Sequence, residues 1–435
     1  MSEPVVLVYP YFYDKTHDSH LFFPLGIAAI SSQIQEKGLA VHICDCTFKD
    51  FGLSLQEIIS YRPGIVGIYV MVTLSNDAFR LARELKKHLP ESLLVAGGPL
   101  PTIYPERFLS VFDVVFRGEC DYTFARFCSE YFKSNRNFLG TKCVHYPGLF
   151  FLNKGLIISN PVTHYNAEMI DRLPLPDRSG FDHKLYQDIS EKKTGYKPAS
   201  IMITRGCPYH CDFCSKPIFG NVFRKRAIAN VLDEIIDIKR WGYNQLWIAD
   251  DSFTLDLQYL QAFCSALISR KLDITWTCLT RVNGLTSTIV NLMRQAGCLK
   301  VYLGLESGSN ETLQVMNKGV TVEDGTRAIR LFQKSGIKTS AFFIVGYPGE
   351  SIESIEKTFD FSLAFPFEEI SFNVPLPLPG SPIFERIKGI NCYEDWNYKN
   401  ELRFIYPTEI DGHWIKRRVS ETMSEFSCRK AESIP

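Results

Sequence analysis

The residues best placed to do chemistry lie in Thr204-Arg-Gly-Cys207-Pro-Tyr-His-Cys211-Asp-Phe-Cys214, three cysteines at C-x3-C-x2-C spacing just after the apolar run 199–203. Three thiolates within eight residues of one loop can face a common point. Cubane iron–sulfur clusters take cysteine thiolates. A full set is four, so three leave one iron open for a chelating ligand. A structural zinc site needs a fourth Cys or His at short spacing. His210 lies between two of the cysteines and would pinch the loop if it also ligated. The plain alternative is bystander thiols, but isolated cysteines seldom fall at cluster-type spacing.

The rest of the chain must position that loop. With 435 residues, 45% of them hydrophobic, it is long enough for two domains or more. The formal net charge is zero, so no electrostatic footprint for nucleic acid or an anionic membrane is present. Thirteen cysteines, an odd count, behind a start Met-Ser-Glu-Pro without a basic region, read as free thiols in a reducing cytoplasm. The longest apolar stretches, such as 65–72, are strand-length and far short of a membrane span.

Apolar runs at 5–9, 41–44, 65–71, 93–96 and 114–116 read as strands. Helical patterns at 25–36, 55–60, 76–88, 105–110 and 122–133 alternate with them. Such alternation predicts an α/β fold with a doubly wound parallel sheet, whose ligands sit outside the carboxyl ends of the strands. Two short runs around Asn153-Lys-Gly155 read as a hairpin, and Leu173-Pro-Leu-Pro-Asp-Arg178 cannot be helical. After the cysteine loop, strands at 246–249, 274–278, 301–305, 339–345 and 370–372 alternate with helices at 231–241, 257–269, 286–295, 322–335 and 352–364. With the strand before the cysteines this makes six units, a partial (β/α)6 barrel with working groups at the carboxyl ends of its strands. Those ends carry Asp250 and Asp251, Arg281, Glu306 and Ser307, and Gly346-Tyr-Pro-Gly349. The expected organisation is 1–145, a hairpin and linker over 146–196, a barrel over 197–388 and a capping tail over 389–435. The tail segment 414–426 reads as a closing helix with a solvated basic face.

The cysteine motif, with Phe213 before its last member, resembles the signature of the radical S-adenosylmethionine (SAM) superfamily. The resemblance implies a 4Fe-4S cluster on Cys207, Cys211 and Cys214. It implies that the amine and carboxylate of SAM chelate the open iron, and that an electron from the cluster breaks a sulfur–carbon bond to release a 5'-deoxyadenosyl radical. Phe213, Asp250, Asp251, Arg281, Glu306, Ser307, Gly346 and Gly349 then resemble SAM-holding positions. An acid would meet the amine, Arg281 or Ser307 the carboxylate or ribose, and the Gly346 region the adenine. The charges agree, since SAM presents an ammonium, a carboxylate and a sulfonium.

The first third resembles the cobalamin-binding domain that precedes the barrel in one branch of that superfamily. The matching residues are Phe23-Pro-Leu-Gly26, Gly97-Gly98-Pro99 and Gly118-Glu119, with Thr73 and Ser75 on the loop after the third strand. Glycines let backbone approach a flat macrocycle because no Cβ stands in the way. Asp18-Ser-His20 nearly matches the DxHxxG pattern that ligates cobalt, but the final glycine is absent. His20 is therefore taken as an ordinary loop histidine; in the alternative it replaces the nucleotide base on cobalt, oriented by Asp18.

Together these features predict a cytoplasmic enzyme using a 4Fe-4S cluster, SAM and cobalamin, with a Rossmann-like cobalamin-binding fold ahead of a radical SAM barrel. The expected reaction is methyl transfer to an unactivated carbon or to phosphorus of a small molecule. An external donor of flavodoxin or ferredoxin type would supply the electron, and neither nucleic acid nor membrane is an expected partner. The alternatives are a cyclase or rearrangement enzyme of the same branch, like the anaerobic magnesium-porphyrin cyclase, or a cobalamin carrier or sensor without catalysis. The tRNA methylthiotransferase branch is disfavoured, because neither its RNA-binding module nor its extra cluster cysteines are found.

Overall fold

The computed structural model of the chain describes residues 3–13, 21, 23–134, 143, 145–387 and 402–432. Two compact units divide it: Met1–Ser200 with Pro217–Arg224, and Ile201–Lys216 with Lys225–Pro435.

In the first unit β1 (Val5–Tyr9), α1 (Leu25–Glu36), β2 (Val41–Asp45), α2 (Phe51–Ser60), β3 (Ile65–Tyr69), α3 (Ser75–His88), β4 (Leu93–Gly97), β5 (Val114–Phe116) and α4 (Asp121–Lys133) alternate as the pattern of apolar runs requires. Two further strands, β6 (Leu149–Asn153) and β7 (Leu156–Ser159), follow. The sheet order is β2-β1-β3-β4-β5-β6-β7. The first five strands are parallel, and β6 and β7 join antiparallel. Winding reverses between β1 and β3, and such a switch point opens a crevice at the carboxyl ends of the strands. The strands are apolar along their length because both faces are covered. Val5, Leu7, Ile65, Val95 and Phe116 form one core with Ile27 of α1 and Phe124 and Phe127 of α4.

Local chemistry sets the helix ends. Asp50 accepts the Leu53 N–H at 2.8 Å, so α2 begins at Phe51, four residues before the start expected from its apolar pattern. The hairpin expected around Asn153-Lys-Gly155 is present, with Leu152 opposite Ile157. It continues the first sheet.

β8 (Pro198–Ile201) spans the division, and in the second unit α5 (Ile228–Arg240), β9 (Gln245–Ile248), α6 (Leu257–Ser269), β10 (Thr275–Thr280), α7 (Ser287–Gln295), β11 (Cys298–Glu306), α8 (Val322–Ser335), β12 (Lys338–Ile344), α9 (Ile352–Leu363) and β13 (Glu369–Asn373) alternate, and α10 (Gly412–Glu432) follows. The division between the units falls at the end of β8. Strands β8 to β13 stand side by side in sequence order, and those from β9 onward pair in parallel. This is the (β/α)6 arrangement expected of a partial barrel. Leu246, Ile248, Val301, Leu303, Ala341 and Phe343 are buried. They alternate with Trp247, Tyr302 and Phe342, whose rings touch one another on the opposite face. Side chains at the helix starts close the βα loops, as where Asp256, Thr286 and Ser351 cap α6, α7 and α9.

The basic face of α10 is not simply solvated. Arg418 makes a two-pronged ion pair with Glu356 of α9 at 2.6 and 2.8 Å, and Lys430 donates to the Glu368 carbonyl at 2.7 Å. The helix is therefore pinned along α9 by paired charges, which composition alone does not reveal. Among the described residues, no helix is long and apolar enough to cross a membrane.

Gly98 follows β4 at φ 110°, and a Cβ there would stand 2.8 Å from the Val70 carbonyl oxygen. Gly26, in the first turn of α1, has open space around it. Gly98→Ala should cost about 1–3 kcal/mol in urea unfolding of the full chain. Gly26→Ala should stay within about 0.5 kcal/mol of the parent.

Candidate active site

The three cysteines stand on the loop that leaves the first barrel strand. Cys211 is buried, while Cys207 and Cys214 are half-buried. A carboxylate from the next strand fixes the entry of that loop. Asp250, 1% exposed at the end of β9, accepts the backbone N–H groups of Ile203 and Thr204 at 2.8 Å each and the Thr204 hydroxyl at 2.7 Å. Burial pushes the Asp250 carboxyl up to about 7, against the pull of those donors.

The turn itself is closed from its own chain. Lys216 donates to the Cys207 carbonyl at 3.0 Å and also to that of Tyr209. The Asn317 side chain donates to the His210 carbonyl at 2.8 Å. Asp212 accepts the Tyr347 hydroxyl at 2.5 Å and pairs with Arg386. Phe213 packs with Met316, Tyr347, Ile383, Ile344 and Ile387. Cys214 is pushed up to about 11 by burial; Lys216 opposes the rise and Asp251 adds to it. Such a thiol gives up its proton to a metal rather than to water.

The other strand ends hold the expected residues, largely engaged with one another. Arg281 is buried, and its Nη1 donates to Cys211 Sγ at 3.4 Å. Glu306 follows a break in the β11–β12 register, sits at φ 66°, and takes a buried ion pair from Lys318 at 2.5 Å. Left-handed backbone in a non-glycine residue is strained and persists where the surroundings hold it. Ser307 is buried with its hydroxyl 2.9 Å from that of Thr358. The Gly346-Tyr-Pro-Gly349 turn closes on Glu350, whose Oε2 accepts the N–H groups of Gly346 and Tyr347 at 2.9 Å each. Gly346 has φ 77°, and any Cβ there would collide with the Phe404 ring, whereas Gly349 has open space. Asp251 is exposed beside the loop. Asp250 and Ser307, expected to touch SAM, thus have their polar atoms directed at the protein itself.

In the first unit Gly97 and Gly98 end β4, with Gly97 open on its Cβ side out to the Phe116 carbonyl 4.0 Å away. Gly118, at φ 69°, donates its N–H to Thr102 Oγ1 at 2.9 Å. Thr73 is exposed in the short turn after β3, and Ser75 is buried with its hydroxyl on the Val72 carbonyl at 2.9 Å. Glu119, expected to face cobalamin, is buried. It accepts the Tyr165 N–H at 2.8 Å and pairs with Arg224 at 2.6 Å. Its side chain braces the unit. Asp18 and His20 lie outside the described residues.

These arrangements suit the groups the sequence implies. A guanidinium N–H aimed at Cys211 sulfur is the partner a cluster thiolate takes. Among the described residues, no three of His, Cys, Asp or Glu could hold a single metal ion. The three cysteines are the ligand type that an iron–sulfur cluster takes. Of the two glycines at the carboxyl end of β4, Gly97 is open on its Cβ side, whereas Gly98 packs against Val70 and Tyr69.

Residues 201–362 match the radical SAM superfamily, and residues 19–127 match the B12 binding domain. An uncharacterized methyltransferase, PH0819, of Pyrococcus horikoshii is 29% identical over 412 residues, covering 92% of this chain and 86% of its own. The anaerobic magnesium-protoporphyrin IX monomethyl ester cyclase of Rubrivivax gelatinosus is 27% identical over 388 residues, 86% of this chain and 68% of its own. Among solved structures, the radical S-adenosylmethionine methyltransferase TsrM from Kitasatospora setae, with cobalamin and a 4Fe-4S cluster bound, superposes with a TM-score of 0.76 at 21% identity, over 89% of this chain and 75% of that one. Fold and site together define an enzyme with a B12-binding fold and a three-cysteine barrel. The chain carries a B12-binding domain followed by a radical SAM domain.

Sequence reasoning missed Lys318, Asn317, Tyr347 and Arg386. Only Asp212, inside the motif, carried a local signal; the others lie over a hundred residues from the loop they brace.

Asp250→Asn keeps the shape but turns an amide toward two buried N–H donors. It should cost about 1–3 kcal/mol and lower the iron retained after anaerobic reconstitution, read by iron analysis. Burial also pushes Glu350 up from 4.5 to about 7. Unfolding then releases a proton between those values, so its contribution to stability falls as pH rises from 4.5 to about 7. Glu350→Gln should flatten the stability–pH curve across that window.

Proposed function

We propose that the enzyme is a cobalamin-dependent radical SAM methyltransferase acting on an unactivated carbon or on phosphorus of a small molecule. The observation that carries this reading is the clamped three-cysteine loop at the head of a radical SAM barrel, in a chain that also holds a B12-binding domain. When bound, the cluster, SAM and cobalamin supply one-electron cleavage and a methyl carrier, which no side chain here can supply.

The chain's own residues bind, orient and shield. Cys207, Cys211 and Cys214 would hold the cluster, with Asp250, Lys216 and Asn317 keeping their loop in shape. Phe213 and its apolar neighbours keep water from the loop's inner side. For SAM, Asp251, the Glu306 region and the turn at Gly346 and Gly349 remain the assigned holders. For cobalamin, Gly97 offers the backbone approach, with Thr73 and Ser75 on the neighbouring loop, while Gly98 and Gly118 pack against Tyr69 and Val162. An external flavodoxin- or ferredoxin-type protein would deliver the electron. The free thiols among the described cysteines suit a reducing compartment such as the cytoplasm. The similarity to the cyclase supports ring closure as a second reading.

Anaerobic reconstitution should give about four irons per chain and retention of hydroxocobalamin through desalting. Cys207→Ala, Cys211→Ala or Cys214→Ala should abolish formation of 5'-deoxyadenosine from SAM; an undiminished yield would exclude the cluster role. Methyl-labelled SAM incubated with cell extract should label a small molecule, whereas a cyclase would leave its product unlabelled.

A further inference from the structure

Arg281 is 7% exposed, at the end of β10. Its Nε donates to Asn283 Oδ1 at 3.2 Å and its Nη2 to the Lys318 carbonyl. The guanidinium carbon stands 3.7 Å from the centroid of the Tyr209 ring. Nη1 is directed at Cys211 Sγ, 3.4 Å away. A guanidinium cannot shed its charge in a protein, and a buried charge needs a counter-charge. Among the described residues, no carboxylate pairs with Arg281. Two buried carboxylates of the same strand-end network, Glu306 and Asp212, are held by Lys318 and Arg386. The group within hydrogen-bond reach of Arg281 that can carry negative charge is therefore the Cys211 sulfur.

Three thiolates around a cubane core leave the assembly anionic, and an added electron makes it more so. The reduction potential of such a cluster depends on its net charge, on hydrogen bonds to its sulfurs and on exposure. Arg281 bears on the first two. Bonds to Asn283, Cys211 and the Lys318 carbonyl take three of its five N–H groups and the Tyr209 ring covers one face, which fixes its plane.

We propose that Arg281 is the counter-ion of the iron–sulfur cluster, raising its reduction potential through an N–H···S bond to Cys211, rather than a residue that holds SAM. This rests on the cluster reading given under the proposed function. Arg281 is thus a positioning residue that acts through Cys211. The external donor passes one electron to the cluster; no bond forms or breaks in that step, and the fixed cation stabilises the charge gained.

The test is a dithionite-poised redox titration of the full reconstituted chain, followed by electron paramagnetic resonance without SAM. Arg281→Met should lower the midpoint by about 59 mV, a tenfold loss in the one-electron reduction equilibrium, while SAM affinity is unchanged. A wild-type midpoint in Arg281→Met with full iron content, accompanied by weakened SAM binding, overturns the proposal. Should Arg281→Met fail to keep its cluster, Arg281→Gln decides, because its amide can still donate an N–H but carries no charge: a lowered midpoint supports the proposal and a wild-type midpoint overturns it. A wild-type chain that takes up no iron overturns the cluster reading itself, a result distinct from an unchanged midpoint.

Discussion

The site depends on one carboxylate holding one stretch of backbone. The cysteine loop lies outside the six-stranded sheet, and the N–H groups where the chain leaves that sheet need partners. Asp250 supplies them from the adjacent strand, taking Ile203 and Thr204 at the point where the chain leaves the sheet. Charge-assisted bonds of this kind are stronger than neutral ones, and their direction fixes where Cys207 begins its turn.

Around that clamp the polar groups at the strand ends are mostly turned upon each other. Glu306 meets Lys318, Ser307 meets Thr358, and Glu350 fills the turn that begins at Gly346. Each pairing offsets the cost of burying a polar atom, and together they form a frame rather than a set of free hands. Arg281 stands apart because one of its N–H groups is directed at a sulfur. The Asp212–Tyr347–Arg386 contact extends the same frame from the motif into the chain after the last strand.

The first unit uses a similar economy with different parts. The parallel sheet is covered on both faces, and the carboxyl ends of β4 and β5 lead into glycine-containing loops. Gly98 and Gly118 adopt backbone that a side chain resists, and Glu119 beside them is drawn inward by Arg224 and Tyr165. On the barrel side, α10 is fastened along α9 by Arg418 and Glu356. The basic residues that look like a solvated face in the sequence are one half of an ion-pair seam.

The cysteine spacing, the alternation of strand and helix in both halves and the order of polar residues after each barrel strand were legible in the sequence alone. Each is a local pattern, set by side-chain period or by residues adjacent in the chain. From them came the fold class, the family and the position of the cluster loop. What the folded chain alone decided is which atoms those residues face. Asp250 turns to the backbone of 203–204, Glu119 to Arg224, Ser307 to Thr358 and Arg281 to a cysteine seventy residues earlier. Hydrogen bonds and ion pairs are settled by distances of a few ångströms between remote segments, and a linear pattern carries no record of which remote segment comes close.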